Sequence, residues 1–384
     1  MSDDAIHPFR IEVPQADLDD LKQRLANTRW AGELPLEPSG PQRGPVPPGW
    51  EYGVPLSYVR RLAEYWRDRY DWRAWEARIN AWPQFTTEID GQHIHFIHAR
   101  SAEAGALPLI LTHGWPGSIV EYLDVIAPLT DPRAHGGEPD DAFDLVIPSL
   151  PGFAFSGATS ERGWSRYRTA RAWAELMRRL GYERYGAAGN DVGSEVSPEV
   201  GRADPDHVIG VHVTQLFSFP SGDPAELADL SEEDLALLQF LKFFDDNMSA
   251  FNKLQSSQPQ TLAHALADSP VGQLAWSGQL FGPAVDDDFA LTNITIYWLT
   301  NTAASASRKY YEDSHAPEHP SGPTTVPTGL ASFANDFRPV RCLAERDHAN
   351  IVTWNMYDTG GHYAAHQVPE LLVSDIRDFY RRLR

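Results

Sequence analysis

Gly189-Asn190-Asp191-Val192-Gly193 is the stretch on which the reading of this 384-residue chain turns. Its spacing, glycine–x–side chain–x–glycine, is that of a nucleophile elbow, a sharp turn from strand into helix, with aspartate at its centre. Upstream, Tyr182 to Ala188 can form a short strand; downstream, Ser194 to Val200 can begin a helix. The glycines matter because a Cβ would clash in so tight a turn. An aspartate placed there can attack carbon and form an alkyl-enzyme ester. Gly-x-Asp-x-Gly also occurs in ordinary surface turns, so the surrounding chain decides between the two.

On the N-terminal side of the elbow, Leu107 to Thr112 has the apolar run of a buried parallel strand and leads into His113-Gly114-Trp115-Pro116-Gly117-Ser118, then a helical run from Ile119 to Leu129. A loop at the carboxyl end of a sheet strand is where such folds place active sites. The backbone N–H of Trp115 is a candidate for one half of an oxyanion hole, and that of Val192, after the nucleophile, for the other. Pro116 predicts an unusual loop shape, with a cis bond as one option. Phe143 to Pro148 is the next buried strand, Ser165 to Gly181 a helix and Val208 to Thr214 a further strand.

The pattern changes from Leu216 to about Thr325, where helical runs (Leu230 to Asn247, Thr261 to Leu266, Gly272 to Leu280, Ala290 to Tyr311) replace strands, as in an inserted cap or lid. The proline-rich Pro317 to Pro327 reads as the linker back. Strands resume at Thr328 to Phe333 and Ile351 to Met356, with Cys342 to Asp347 helical between them and a closing helix from Pro369 to Leu383. Residues 1–85 form an appendage: a short strand at Phe9 to Pro14, helices at Gln15 to Thr28 and Ser57 to Tyr70, an irregular meander from Glu33 to Tyr52, and tryptophans that pack it onto the body. Phe85 to Ile89 and Gln92 to His98 flank Asp90-Gly91 as a hairpin. The predicted organisation is an N-terminal extension at 1–85, a first core part at 86–215, a helical cap at 216–325 and a second core part at 326–384.

Alternating strands and helices on both sides of the insertion predict a mostly parallel sheet flanked by helices. Asp191, Asp336 and His362 then each follow a strand, in the order nucleophile, acid, histidine found in the α/β-hydrolase fold. The formal charge of −21 opposes binding to nucleic acid or anionic membranes through a basic surface. No apolar run is long enough to span a membrane, and the first residues lack the pattern of a signal peptide, so a cytoplasmic protein is expected. A lone cysteine, Cys342, excludes an internal disulfide or a multi-cysteine metal site and reads as small core filler. His93, His95 and His98 lie in the hairpin; two histidines at i and i+2 share a strand face and could ligate a metal, but no third ligand is evident, so they read as exposed strand residues and no metal is expected. Glu195, just past the elbow, reads as a solvated or capping residue rather than one that positions water, and no role is assigned to His366.

His113-Gly-Trp-Pro-Gly-Ser118, Gly189-Asn-Asp-Val-Gly-Ser194, Asp268-Ser-Pro-Val-Gly272, Thr292-Asn-Ile-Thr-Ile-Tyr-Trp298 and Gly360-Gly-His-Tyr-Ala-Ala365 together resemble the α/β-hydrolase-fold epoxide hydrolases of the microsomal-like branch, over nearly the whole chain and in a soluble, bacterial-type form without a membrane anchor. The resemblance implies that Asp191 attacks an epoxide, that His362 activates water against the ester, and that Asp336 orients His362. It implies an epoxide and water as partners, no cofactor, and a Phe9 to Phe85 extension that wraps the cap. It also implies two tyrosine proton donors in the cap. Tyr310 matches one. The other falls at about Phe251, which cannot donate, so Tyr310 acts alone, or with Tyr311, a water or another cap residue. Pro116, Phe251 and Tyr311 are expected at the substrate pocket. A replaced donor fits a specialised epoxide, such as an intermediate of natural-product biosynthesis.

Two other functions stay open. A haloalkane dehalogenase uses the same three residue types but needs N–H donors for halide, for which Trp276, Asn247 and Asn252 are available. A non-catalytic small-molecule binding protein would keep the fold but carry a damaged triad. The oligomeric state, a homo-oligomer included, is not fixed by the sequence.

Overall fold

The computed structural model describes residues 4–35, 46, 48–228, 230–318 and 320–384. Among these, one nine-stranded sheet runs in the order β1-β2-β3-β5-β4-β6-β7-β8-β9. The strands are β1 (His7–Phe9), β2 (Gln84–Ile89), β3 (Gln92–Ala99), β4 (Leu107–Thr112), β5 (Phe143–Pro148), β6 (Tyr185–Gly189), β7 (Val208–Val213), β8 (Thr328–Ser332) and β9 (Ile351–Met356). The first three pair antiparallel and β3 joins β5 antiparallel; from β5 to β9 every pairing is parallel. This is an α/β-hydrolase sheet, mostly parallel and flanked by helices. The β2–β3 hairpin turns at Asp90 and Gly91, both at positive φ (52° and 74°), as a type I′ turn requires.

The strand order places the functional loops. Going from β4 to β5 the chain moves outward, then returns past β4 to lay down β6 on its other side. The carboxyl ends of β4 and β6 therefore flank a switch point, where the two loops diverge and leave a crevice. The inner parallel strands β4, β5 and β6 are short runs buried almost throughout, as the helices packed on either side demand, while the edge strand β9 is only partly buried. Between β7 and β8 lie helices Glu232–Asn247, Ala250–Ser257, Pro259–Asp268, Pro270–Phe281, Asp287–Leu299 and Ala303–Ser314. No helix among the described residues is long and apolar enough to cross a membrane.

Several local expectations are corrected. The first strand is His7–Phe9, not Phe9 to Pro14. Beyond Phe9 the backbone turns to side-chain partners: the N–H of Ile11 donates to Asn80 Oδ1 (3.0 Å) and that of Val13 to Glu76 Oε1 (2.8 Å). The helical run Ala290 to Tyr311 is two helices, broken where Asn301 takes a left-handed conformation (φ 52°) and the N–H of Thr302 closes onto the carbonyl of Tyr297. Ala250–Ser257 is a helix that the sequence reading passed over. Cys342 is exposed, not core, because it sits at the second residue of helix Arg341–Asp347 while Leu343 and Ala344 take the buried face. His95 is fully buried, its ring bonded to Ser149 Oγ (2.9 Å) and Gln84 Oε1 (3.0 Å) and met edge-on by Phe9 and Phe155. Much of the Glu33 to Tyr52 meander, and one residue of the proline-rich linker, lie outside the described residues.

At the elbow, the backbone of Gly193 passes so close to β4 that an added Cβ would stand 1.8 Å from the carbonyl oxygen of Thr112. Gly193→Ala should therefore cost about 3 kcal/mol or more, or prevent folding. Gly105→Ala, whose Cβ meets open space, should stay within about 0.5 kcal/mol of the parent. Urea unfolding midpoints compare them, and equal effects would refute this account of the elbow.

Candidate active site

Four strand ends supply the site. Asp191, two residues past β6, sits at φ 54°, ψ −118°, a conformation rare for a side chain with a Cβ. The turn aims its carboxylate back over the sheet end toward the loop after β4. The N–H of Trp115 donates to Asp191 Oδ1 (2.9 Å), and the N–H of Val192 also bonds the carboxylate. Gly114 has to be glycine: a Cβ there would lie 2.2 Å from Asp191 Oδ1. The Trp115–Pro116 bond is cis. Pro116 and its loop are held from above by the inserted helix Asp287–Leu299, where Tyr297 Oη donates to the carbonyl of Gly117 (2.6 Å) and Asn293 Oδ1 accepts from Ser118 Oγ (2.6 Å).

On the other side, β8 and β9 are neighbours, and the pairing continues past their ends in an Asn335–Gly361 bridge. That bridge brings Asp336 and His362 together. His362 Nδ1 lies 2.9 Å from Asp336 Oδ1, and its Nε2 is 3.8 Å from Asp191 Oδ2. The three residues placed by strand order alone thus form one contiguous aspartate–histidine–aspartate cluster.

Electrostatics in the cluster oppose one another. Burial pushes the His362 imidazolium down, but the carboxylates of Asp336, Asp191 and Glu121 outweigh it and lift its pKa to about 10. Burial raises the Asp191 carboxyl from its ordinary value, against the pull of His362 and the two backbone N–H groups. The resting cluster therefore holds an imidazolium between carboxylates. Loss of the Asp191 charge would remove one of the groups that keep His362 protonated.

Three aromatic side chains form one wall at Trp115. Phe251 stacks on Trp115 with centroids 5.9 Å apart, and Tyr310 meets both rings edge-on at 5.8 and 6.1 Å. Burial, then Asp191 and Glu195, hold the Tyr310 phenol well above its ordinary value, so it keeps its proton at neutral pH. Tyr311 is not at this wall: it is exposed on the other side of its helix and stacks on His315, because adjacent helical residues point about 100° apart. The three nitrogen donors weighed for halide are also elsewhere engaged or exposed. Trp276 Nε1 donates to Gln255 Oε1 (3.0 Å), Asn247 Nδ2 donates to the carbonyl of Phe243 (2.9 Å), and Asn252 is exposed.

Two polar residues at the site, Glu121 and Gln215, were not singled out from the sequence. Glu121 is buried beneath the loop, its Oε1 accepting from Asn190 Nδ2 (2.7 Å), and burial raises its carboxyl to about 8. Glu121 and Asp124 are the two carboxylates in the largely apolar Ile119 to Leu129 run, and their presence there was the available signal. Gln215 lies between Asp191 and Asp336. Glu195 is not simply solvated: it forms a 2.5 Å ion pair with Arg166, beside a buried Lys309–Asp313 pair. His366 bridges Asp124 (3.3 Å) and Asp286 (2.6 Å) against the face of Phe289.

The raised His362 pKa has a consequence for stability. Its contribution is full below its ordinary value of 6.5 and is lost as pH rises through about 10. Thermal midpoints measured from pH 7 to 10.5 should fall more steeply for the parent than for His362→Gln. Parallel curves would mean that His362 is not held protonated in the folded state.

Residues 6–122 match the family model described as epoxide hydrolase N terminus, and residues 108–267 that of the alpha/beta hydrolase fold. A provisionally named epoxide hydrolase of Stigmatella aurantiaca is 43% identical over 99% of this chain and 86% of its own length. Epoxide hydrolase 1 of Sus scrofa is 33% identical over 98% of this chain and 89% of its own. The solved structure of Aspergillus niger epoxide hydrolase superposes with a TM-score of 0.85 at 29% identity, covering all of this chain and 98% of that one. Near-full-length identity of this order, on the same fold, makes the chain a member of the epoxide hydrolase family.

Proposed function

We propose that the chain opens an epoxide to a vicinal diol through a covalent hydroxyalkyl ester on Asp191. The observation that carries this reading is the double engagement of His362, bonded through Nδ1 to Asp336 while Nε2 faces Asp191 Oδ2 at 3.8 Å. In the first step an Asp191 oxygen attacks an epoxide carbon, the ring C–O bond breaks, and Tyr310 gives its phenolic proton to the departing oxygen. Forming the ester removes the Asp191 charge and with it one support of the raised His362 pKa. As that support is lost, His362 gives up its proton, which by way of solvent restores the Tyr310 phenol, and the neutral Nε2 is then the base that takes a proton from water. The hydroxide attacks Asp191 Cγ, and the N–H groups of Trp115 and Val192 stabilise the tetrahedral oxyanion. Collapse releases the diol and restores the carboxylate, which keeps one oxygen of the water.

The helices at 216–325 act as a cap that supplies Tyr310 and Phe251, and residues 1–85 as an extension packed on it. The Trp115–Phe251–Tyr310 wall favours apolar, especially aromatic, epoxides. With Phe251 at the second donor position, Tyr310 is the sole phenol assigned to ring opening. That fits a substrate whose developing alkoxide needs one donor, such as an epoxide intermediate of natural-product biosynthesis.

The test is the intact mass of His362→Gln after incubation with aryl epoxides and haloalkanes. A gain equal to the whole epoxide, absent when Asp191 is also changed to Ala, is the expected result. A gain equal to an alkyl group with halide lost would move the assignment to a dehalogenase. No adduct with any compound would favour a binding protein of the same fold. Tyr310→Phe should slow ester formation by about 10²-fold or more, as loss of a general acid does. In single-turnover measurements an unchanged rate would remove Tyr310 from the mechanism.

A further inference from the structure

Gln215 stands two residues beyond β7, the strand between β6 and β8, and is fully buried. Its neighbours Val213 and Leu216 are apolar and buried as well. A primary amide in such a place is costly unless all its hydrogen-bonding groups are used. They are used on the functional cluster. Gln215 Oε1 accepts from the backbone N–H of Asp191 (2.8 Å), and the hydroxyls of Ser194 (2.8 Å) and Thr214 (2.9 Å) lie beside it. Gln215 Nε2 donates to Asn190 Oδ1 (2.7 Å) and, in a short contact, to Asp336 Oδ2. The partners fix the amide's orientation: the Asp191 N–H can only donate, and an ionised Asp336 can only accept.

We propose that Gln215 is a positioning residue for ester hydrolysis, tying the elbow that carries Asp191 to the Asp336–His362 pair. Asp336 has two carboxylate oxygens. Oδ1 takes the His362 Nδ1 hydrogen and Oδ2 takes the Gln215 amide hydrogen. With both ends held, the carboxylate cannot rotate, and the imidazole it orients keeps Nε2 turned to Asp191. Without the amide, Asp336 Oδ2 would be a nearly buried oxygen lacking its donor, and the carboxylate would turn to find another. The inference rests on the ester mechanism proposed above and assigns Gln215 to its second half. Ester formation needs Tyr310 and the Asp191 carboxylate; Gln215 touches neither side chain, and without its amide the Gly193 contact and the Trp115 N–H still hold Asp191 in place. Hydrolysis needs His362 as an oriented base.

Two substitutions separate this role from mere core stability. Gln215→Met keeps the length and removes both polar ends. Gln215→Glu keeps an acceptor for the Asp191 N–H; protonated, it can still donate to Asp336, and ionised, it repels Asp336. Single turnovers with styrene oxide and trans-stilbene oxide, quenched in acid and read by intact mass, give the rates of ester formation and decay separately. In Gln215→Met, ester decay should slow by about 10–100-fold, as for loss of a supporting hydrogen bond at an active site. Ester formation should change less than about threefold, so the adduct accumulates. In Gln215→Glu the ratio of decay rates, variant over parent, should fall as pH rises.

Equal slowing of both steps in Gln215→Met, or no slowing, overturns the proposal. If that variant does not fold, Gln215→Glu decides: a decay ratio flat with pH indicates a purely structural residue. The ester reading is checked separately with Gln215 intact. If His362→Gln traps no adduct, that reading fails and this inference falls with it; if it traps one and the Gln215 variants decay like the parent, only this inference fails.

Discussion

The carbonyl of Thr112, at the end of β4, is the point against which the site is built. It accepts from the N–H of Asn190 (3.2 Å) and from Tyr122 Oη (2.8 Å), while the Thr112 hydroxyl receives the Trp173 indole N–H (3.1 Å). One residue therefore joins the elbow, the helix after the β4 loop and the helix before β6. The close passage of Gly193 over the same carbonyl leaves the elbow one course. An aspartate at φ 54° costs on the order of 1–3 kcal/mol and persists only where its surroundings over-determine it. Here the surroundings are the Gly193 contact below, the Gln215 amide at the Asp191 N–H, and the Trp115 N–H at its carboxylate.

Charge balance follows from that placement. Asp191, Asp336 and Glu121 all act on His362, and in a poorly solvated site three full negative charges would repel strongly. The arrangement avoids this in two ways. His362 carries a proton between Asp191 and Asp336, and Glu121, with its carboxyl raised to about 8 by burial, is mostly neutral at pH 7. Tyr310 is set apart from the hydrogen-bonded cluster by its aromatic neighbours, where burial keeps its phenol protonated. Groups that hold protons and groups that give them up are thus separated by environment rather than by residue type.

Much of the fold was legible because its signals are local. The apolar runs of β4, β5 and β7 are short, bounded by loops and buried at all but one position in β4 and one in β7, so composition and length suffice to find them. The Asp90-Gly91 turn needs positive φ at both positions, which its residue types announce. The misreadings share the opposite property. The N-terminal strand ends early because Asn80 and Glu76, some 65 residues away, take over its hydrogen bonds. His95 alternates in sequence like an exposed strand residue but is covered by β1 and by the loop carrying Phe155. Tyr310 and Tyr311 are equivalent in sequence and are told apart only by which face of their helix meets Trp115.

By itself the sequence determined the chemistry available and its order along the chain: an aspartate between glycines after one strand, an acid and a histidine after two later ones, and a helical insertion between them. It could do so because an elbow constrains Cβ atoms within five residues and because parallel strands demand buried apolar runs. Only the tertiary structure decided which polar groups act on one another. The β4/β6 switch point turns the Trp115 N–H onto Asp191, the β8–β9 pairing brings Asp336 to His362, and β7 between them delivers Gln215 to both sides. These are contacts between residues 24 to 121 positions apart, and hydrogen-bond direction and burial at such separations are set by sheet order and packing, which no local pattern encodes.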